Sequence, residues 1–382
     1  MAAPAPIRLL AGPAAARHIA AQGLKPADIA AVAGAAGGPK GLALLPLDRW
    51  LFGHWLADCP RERWLAGASI GAWRMAAGAQ RKPLPALDRL AQAYLEGQRY
   101  PRKPSAALVS QVCRDMTREL IGHDAAAFLA GVAPGRRLQV VTARGLAPAS
   151  APARIAFGRA ALANAVSRAH LGSHLQRVVF CADGRTDASV GGGSGHGHGH
   201  GTGSGSGCPA LPDDAFDSRS VALRADNLED ALLASGSIPL VAEAVAGVAG
   251  APAGRYWDGG LIDYHLHWRW QALPGIVLMP HFLPAVTAGW LDKFLPWRRH
   301  GLGRAGRGWL DNLLLVTPSP TLLARLPNRK LPDRQDFFRY DTDHDARLRD
   351  WRRAMAECAA MAEAFAAWVE RPERLVMEPL PG

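Results

Sequence analysis

Cysteine is scarce in this sequence, and no two cysteines form a C-x-x-C pair. The five cysteines are an odd number without regular spacing: Cys59, Cys113, Cys181, Cys208 and Cys358. This pattern indicates neither a disulfide framework nor a cysteine zinc site. We therefore expect a reducing, cytoplasmic environment, and we expect no metal ion and no organic cofactor.

Long apolar runs are also absent. No run of about 18 apolar residues occurs, so no transmembrane helix is expected. Near the N-terminus, Gly12 and Pro13 interrupt the apolar core that a signal peptide needs. The same region predicts a helix from about Pro13 to Gly23, and we interpret residues 1–27 as a helical lead-in.

Acidic residues are outnumbered by basic ones. The chain has 44 Lys and Arg against 33 Asp and Glu, a formal net charge of +11. This excess favours an anionic partner such as nucleic acid, a membrane surface or an acidic ligand. Many of the arginines lie in helical stretches, where solvated faces and intrahelical ion pairs explain them equally well. Because no recognised nucleic-acid module accompanies the charge, nucleic acid is not expected as a partner.

Short apolar segments alternate with helical patterns along most of the chain. Strands are predicted at 28–33, 63–69, 137–143, 177–182, 275–280 and 312–318. Residues 84–131 predict a run of helices that could cap the sheet, and residues 344–369 predict one amphipathic helix packed on it. The expected fold is a three-layer α/β/α domain with a mainly parallel central sheet.

The main domain is assigned to residues 28–330, and residues 331–382 to a helical extension packed on it. Within the domain, residues 191–207 read GGGSGHGHGHGTGSGSG, a low-complexity stretch expected to form a flexible surface loop. Its three alternating histidines could bind a divalent metal only weakly, because no second shell would hold them.

The stretch WLAGASIGAWRMAAG contains a G-x-S-x-G pattern centred on Ser69. Alone the pattern is weak evidence for a nucleophilic serine, because small residues are common in this chain. Its context strengthens that evidence, because the serine lies between a predicted strand and a predicted helix, and Gly67 and Gly71 leave room for a tight turn. Such a turn exposes the serine hydroxyl beside the unpaired amides of a helix N-terminus.

Two further glycine-rich stretches bear on the same chemistry. GGPKG, Gly37 to Gly41, follows a predicted strand, and its amides could stabilise an oxyanion or bind a phosphate, although it lacks the full P-loop spacing. Lys40 within it could attract an anionic group or be solvated. YWDGG places Asp258 before Gly259 and Gly260, which indicates either a hairpin turn or a carboxylate base.

The order GGPKG, GASIG and DGG resembles the patatin-like phospholipase family, over residues 28 to about 266. The segment LLASGSIPLVAEA, residues 232–244, also looks like one that this family carries ahead of its D-G-G turn. The family loop commonly opens with an acidic residue and three glycines, whereas Ala35 and Ala36 precede Gly37 here. Lys40 matches the family's basic residue before the last loop glycine, Gly41.

The resemblance implies a patatin-like acyl ester hydrolase with a Ser-Asp dyad. Ser69 would be the nucleophile and Asp258 the base, and the amides of Gly37, Gly38 and Ile70 would hold the oxyanion. The expected substrates are lipids or other acyl esters, hydrolysed through an acyl-enzyme.

Two other functions remain open at the level of sequence. His265, His267 and His281 follow Asp258, so a Ser-Asp-His triad of the α/β-hydrolase kind is one alternative. A catalytically inactive, lipid-binding protein of the same fold is the other.

Residues 281–309 mix aromatic and basic side chains: Trp290, Phe294, Trp297 and Trp309 among Lys293, Arg298, Arg299, Arg304 and Arg307. This composition is typical of a peripheral contact with an anionic membrane. It is equally typical of buried aromatics beside solvated arginines. The pattern predicts a short helix with 290, 294 and 297 on one face, followed by a mobile basic loop.

Overall fold

The computed structural model describes residues 5–148, 150–183 and 208–381. The strands are β1 Ile7–Ala11, β2 Ile29–Gly34, β3 Arg63–Ala68, β4 Arg136–Gly145, β5 Leu175–Asp183, β6 Arg219–Ala222, β7 Val245–Ala246, β8 Arg255–Asp258, β9 Ile276–Pro280, β10 Leu313–Pro318 and β11 Met377–Pro379. The α-helices are α1 Pro13–Gln22, α2 Leu45–Trp50, α3 Ile70–Gly78, α4 Pro83–Glu96, α5 Ala106–Ile121, α6 Ala125–Ala130, α7 Ala153–Val166, α8 Arg168–Leu171, α9 Leu228–Gly236, α10 Gly260–Asp263, α11 Pro320–Arg325, α12 Gln335–Tyr340, α13 His344–Glu357 and α14 Ala359–Glu370.

The strands form one sheet in the order β11-β1-β10-β9-β2-β3-β4-β5-β6. Its middle, from β10 to β4, is parallel, whereas β1 pairs with β10, and β5 with β4, in the antiparallel sense. β8 lies off this path and pairs antiparallel with β4 and β7. Because the carboxyl ends of parallel strands meet at one edge, the turns after β2 and β3 lie side by side.

Both faces of the sheet are covered. In β10, Leu314 and Val316 belong to one apolar cluster, while Leu313 and Leu315 belong to a second. All four are buried, as expected for a strand whose two faces are packed. The three-layer α/β/α fold with a mainly parallel sheet is therefore confirmed, and the six predicted strands match β2, β3, β4, β5, β9 and β10.

Both ends of the chain contain strands that no sequence pattern predicted. β1 lies within the stretch interpreted as a helical lead-in, although the helix predicted from Pro13 is present as α1. β11, near the C-terminus, pairs parallel with β1 and forms the sheet edge. The two ends of the chain therefore complete one side of the sheet.

The prediction of a single helix over residues 344–369 is wrong in detail. The structure has two helices, α13 and α14, which meet at Cys358. Both helices pack against α2, but α13 also contacts the Gly38–Leu44 turn and α4, whereas α14 also contacts β1 and β10. The two halves of the segment therefore bury their apolar faces partly against different elements.

Two other expectations concern the surface of the chain. In the part of the chain that the structure describes, no helix is long and apolar enough to cross a membrane. The glycine- and histidine-rich stretch 191–207 lies outside the described residues, so its predicted flexibility stays a prediction.

Candidate active site

Ser69 occupies the turn between β3 and α3. Its backbone has φ 56° and ψ −134°, a positive φ that non-glycine residues seldom adopt. Strain of this kind persists only where the surroundings fix it, and it is frequent at functional sites. The side chain lies at the carboxyl edge of the sheet, next to the amino end of α3, as the G-x-S-x-G pattern predicts.

The glycines that flank Ser69 permit a close approach of two backbones. A Cβ atom on Gly71 would lie 1.9 Å from the carbonyl oxygen of Gly34, at the end of β2. A Cβ atom on Gly67 would lie 2.5 Å from the amide nitrogen of Ala72. The first turn of α3 therefore rests directly on the neighbouring strand, which holds Ser69 in place.

Contacts from α9 fix the Ser69 turn on its other side. The amide of Ser69 donates a 2.9 Å hydrogen bond to Ser235 Oγ, and Ser235 Oγ donates a 2.7 Å bond to the carbonyl oxygen of Val141 in β4. The indole of Trp73 donates a 2.9 Å bond to the carbonyl oxygen of Leu232. Ser235 lies in the 232–244 segment, where no sequence pattern predicts this role.

A buried ion pair anchors the far side of α3. Arg74 donates hydrogen bonds of 2.6 and 2.7 Å to both carboxylate oxygens of Asp48 in α2, and neither side chain is exposed. Bidentate Arg–carboxylate pairs fix the relative orientation of the two side chains in addition to compensating their charges. α3 is thus held by β2, α2 and α9 together.

Asp258 ends β8, and its buried carboxyl group interacts with the Ser69 side chain. Oδ1 accepts a 2.7 Å hydrogen bond from the amide of Gly260, within the predicted D-G-G turn. Burial raises the pKa of Asp258, while Ser69, Arg334 and the Gly260 amide act in the opposite direction. A carboxyl group with a raised pKa is a better proton acceptor from a hydroxyl than an exposed one.

The glycine loop after β2 lies beside Ser69. Gly38 has φ 57° and begins a 3₁₀ turn, Gly38–Leu44, that also contains Lys40 and Gly41. Among the described residues, the amides of Gly37, Gly38 and Ile70 have no hydrogen-bond acceptor. These are the three amides expected to hold an oxyanion, whereas the Ser69 amide is already occupied.

Two cavities meet at Ser69. The first, of about 230 Å³, is here called the charged cavity; its polar lining comprises Lys40, Ser69, Asp258, Tyr264, Lys293, Asp333, Arg334 and Gln335. The second, of about 250 Å³, is called the apolar cavity; its lining includes Trp73, Tyr94, Val109, Met116, Ile238, Val241 and Phe337. Gly37 lines the charged cavity, whereas Gly38 and Ile70 line the apolar one.

The histidines of the alternative triad do not join this site. His265, His267 and His281 are buried and line neither cavity, and among the described residues none hydrogen-bonds to Ser69 or Asp258. Nδ1 of His265 instead accepts a 3.0 Å hydrogen bond from a main-chain amide. Burial lowers the pKa of His281 to about 3 and that of His267 to about 4, so both are neutral near pH 7.

Residues 281–309 differ from the prediction. The segment contains three separate 3₁₀ turns, Trp290–Phe294, Pro296–Arg298 and Gly303–Gly306, in place of one short helix. Trp290 lines the charged cavity and therefore does not share an outer face with Trp297, which is 71% exposed.

Important lining residues come from outside the region of family resemblance. Arg334 lines both cavities, and Phe337 lines the apolar one, although both belong to the C-terminal extension. Lys293 lies beside the Trp290 ring at 4.4 Å and lines the charged cavity. No motif marks Arg334 or Phe337 in the sequence, and the pattern around Lys293 indicated a membrane contact rather than this site, because these residues meet Ser69 only through the tertiary fold.

No protein-family model matches this chain, and no curated protein matches it either. The geometry around Ser69 therefore carries the functional argument.

Proposed function

We propose that the protein is a serine acyl ester hydrolase of the patatin-like kind, with Ser69 as nucleophile and Asp258 as general base. One observation carries the proposal: a strained serine at a strand-to-helix turn interacts with a buried carboxylate, and both line one cavity. The ordered series of glycine loop, serine turn and D-G-G turn supports it, because the fold gathers all three at one edge of the sheet.

The proposed reaction begins with attack of Ser69 Oγ on the ester carbonyl carbon, while the hydroxyl proton moves to the Asp258 carboxylate. The tetrahedral oxyanion accepts hydrogen bonds from the amides of Gly37, Gly38 and Ile70. The intermediate collapses, and the alcohol leaves with the proton from Asp258. Water then attacks the acyl-enzyme and gives a proton to Asp258. The second tetrahedral intermediate collapses, the carboxylic acid leaves, and Asp258 returns the proton to Ser69 Oγ.

The dyad is favoured over a triad because the raised pKa of Asp258 suits a base, and the nearby histidines have other contacts. Turnover of a chromogenic acyl ester by the wild type and by Ser69→Ala, Asp258→Asn, His265→Ala and His267→Ala variants tests the choice. The dyad requires large losses in the first two variants alone. Near-normal turnover by Asp258→Asn with loss in either histidine variant would replace the dyad by a triad.

We also propose that this enzyme contacts anionic membrane surfaces through residues 294–307. Phe294 and Trp297 are 59% and 71% exposed, and the exposed cations Arg299, Arg304 and Arg307 follow in the chain. Exposed aromatic side chains beside cations suit the interface of an anionic bilayer.

Co-sedimentation with vesicles of increasing anionic lipid content tests this contact. Binding should rise with anionic lipid, weaken with salt, and fall when Phe294 and Trp297 are both changed to Ala in a folded protein. Leu162→Ala serves as the control, because Leu162 is 71% exposed on α7, outside this segment. Equal recovery of the wild type and the double variant would refute the contact.

A further inference from the structure

Two buried arginines lie side by side at the start of neighbouring parallel strands, at the opposite end of β3 from Ser69. Arg63 begins β3 and Arg136 begins β4, and the two residues are direct partners in the strand register. Their exposed fractions are 0% and 6%. Within the part of the chain that the structure describes, neither guanidinium group forms an ion pair with a carboxylate. Because two adjacent buried cations repel each other, this pair requires an anion nearby.

The main-chain contacts of these arginines leave two N–H donors unused. Arg63 donates hydrogen bonds of 2.7 Å to the carbonyl oxygen of Pro26 and of 3.2 Å to that of Cys59. Arg136 donates one of 2.7 Å to the carbonyl oxygen of Leu56. Nε of Arg63 and Nη1 of Arg136 are buried, and neither has an acceptor among the described residues. Since buried N–H groups are normally paired, these two donors indicate an acceptor that is added at this place.

The thiol of Cys59 is the acidic group that interacts with both arginines. Cys59 lies in the loop before β3, and its side chain is partly exposed. Burial raises the pKa of this thiol, but hydrogen bonds from the Arg61 amide and the Arg63 side chain and the charge of Arg136 outweigh burial, so the pKa is lowered. Desolvation lowers the pKa of Arg63 and Arg136, and Cys59 opposes that effect in both. The thiolate of Cys59 therefore supplies the anion that the arginine pair requires.

The other four cysteines differ from Cys59. Cys113 is also partly exposed, but it lines the apolar cavity, and burial raises the pKa of its thiol to about 11. Cys181, Cys208 and Cys358 are buried, and burial raises the pKa of each to about 12. Because the thiolate is the form that reacts with oxidants, Cys59 should be the reactive cysteine near pH 7.

We propose that Cys59 is a site of oxidation by peroxides, at which Arg63 and Arg136 hold the thiolate and then donate hydrogen bonds to the oxygen of the sulfenate. This inference does not rest on the proposed ester hydrolysis. Cys59 Sγ attacks one oxygen of hydrogen peroxide, so that an S–O bond forms while the O–O bond breaks. The sulfur gives two electrons to the peroxide, and the departing hydroxide takes the proton of the sulfenic acid and becomes water. The unused N–H groups of the two arginines are the donors for the new sulfenate oxygen.

Chemical trapping of the sulfenic acid tests the proposal. The native protein is treated with hydrogen peroxide while dimedone, which reacts with sulfenic acids, is present throughout. Peptide mass spectrometry should locate one dimedone adduct on Cys59, absent in Cys59→Ser. Ser69→Ala should be labelled like the wild type, because Ser69 follows the other end of β3. An adduct formed mainly on Cys113 or another cysteine, or no adduct at all, would overturn the proposal.

The pH dependence of alkylation by iodoacetamide measures the thiolate directly. In the wild type, the alkylation rate of Cys59 should reach half its maximum at a lower pH than that of free cysteine, because the nearby cations favour the thiolate. The rate of Cys113 should reach half its maximum at a higher pH than that of free cysteine. Identical profiles for the two residues would contradict the role given to the arginines.

Variants of Arg136 test that role separately. Arg136→Gln removes one of the two charges and should raise the half-maximal pH of Cys59 alkylation by about half a unit, the effect of one partly screened ion pair. Arg136→Lys keeps the charge and should restore the wild-type value. The matched control is Arg137→Gln, because the adjacent Arg137 pairs with Glu62, and it should match the wild type.

A half-maximal pH that Arg136→Gln leaves unchanged would overturn the role of the arginine pair. Because Arg136 is buried, thermal unfolding of each variant is measured first. If Arg136→Gln does not fold, the wild-type comparison of Cys59 with Cys113 decides the proposal.

Discussion

The charged cavity and the apolar cavity both reach Ser69, but they are built from different kinds of structure. The charged cavity is lined mainly by turns that follow strands, together with Lys293 and Arg334 from segments far away in the chain. The apolar cavity is lined partly by helices, with Tyr94 from α4 and Val109 from α5, and partly by loop residues at 98–104 and 238–242. The difference indicates a division of labour, in which turns after strands supply chemistry and charge while helices and the loops beside them supply a mainly apolar wall.

The largest expected effect lies where the two cavities meet. Ser69→Ala removes the attacking oxygen, and Asp258→Asn keeps the shape but cannot accept the proton. Each should lower kcat at least about 10³-fold for every ester, whether its alcohol is anionic or neutral. Steady-state kinetics on one ester of each kind measures this.

Asp226→Asn is the matched control for these variants, because Asp226 is exposed and pairs with Arg224 at the surface. Its turnover should equal that of the wild type. A loss of kcat for only one class of ester would show that Ser69 and Asp258 do not form one catalytic centre for both classes.

The close contact between β2 and α3, which holds the Ser69 turn between the two cavities, should not tolerate one added methyl group. Gly71→Ala places a Cβ atom 1.9 Å from the Gly34 carbonyl oxygen, which forces β2 and α3 apart. The free energy of unfolding should fall by about 3 kcal/mol. Urea denaturation measures it.

Gly158→Ala is the control for this change, because a Cβ atom there has no neighbour within 4 Å and the residue lies inside α7. Alanine is the better helix former, so Gly158→Ala should increase the free energy of unfolding by roughly 0.5–1 kcal/mol. If both variants changed stability in the same direction, the close contact between β2 and α3 would be refuted.

The apolar cavity should set the preferred chain length. Val109→Trp fills part of the space beside Ser69. Displacing two methylenes costs ~1.6 kcal/mol, so kcat/KM for a dodecanoyl ester should fall about fifteenfold relative to an acetyl ester. The exposed residue Leu162 provides the control Leu162→Trp. A parallel fall for both esters would place the acyl chain elsewhere.

The smallest expected effect is a difference between pH profiles. Asp258 must be ionised to act as a base, and its pKa is raised, so kcat/KM should fall as the pH decreases through that raised value. Arg334 favours the ionised form, so Arg334→Gln should move this acidic limb to higher pH.

Profiles of the wild type, Arg334→Gln and the control Arg339→Gln on one ester decide the point, because Arg339 is exposed on α12 and lines neither cavity. Arg339→Gln should match the wild type. An acidic limb that does not move in Arg334→Gln would contradict the assigned interaction between Arg334 and Asp258.

Local sequence patterns predicted the parts of the site that a strand and its following turn define. β2 with its glycine loop, β3 with Ser69, and Asp258 before Gly259 each carry their signal within a few residues. Turn geometry restricts residue types locally, and glycine is required where backbones approach closely.

Features that depend on distant contacts were not predicted. β1 has only five residues, and it is recognisable as a strand only through its pairing with β10, about 300 residues away. Arg334 carries no motif; it immediately precedes α12, which packs against α13, and α13 in turn packs against the glycine-loop turn. The break at Cys358 was missed because an amphipathic pattern gives the face that is buried, but not the surface against which it packs.

The most direct test of the Ser69-Asp258 dyad is covalent capture by a fluorophosphonate. The proposal predicts one adduct per chain by intact mass, located by peptide mapping on Ser69, absent in Ser69→Ala and formed far more slowly in Asp258→Asn. The histidine variants His265→Ala and His267→Ala should label at the wild-type rate. Hydrolysis of esters by a protein that is not labelled, or is labelled at another residue, would contradict the account.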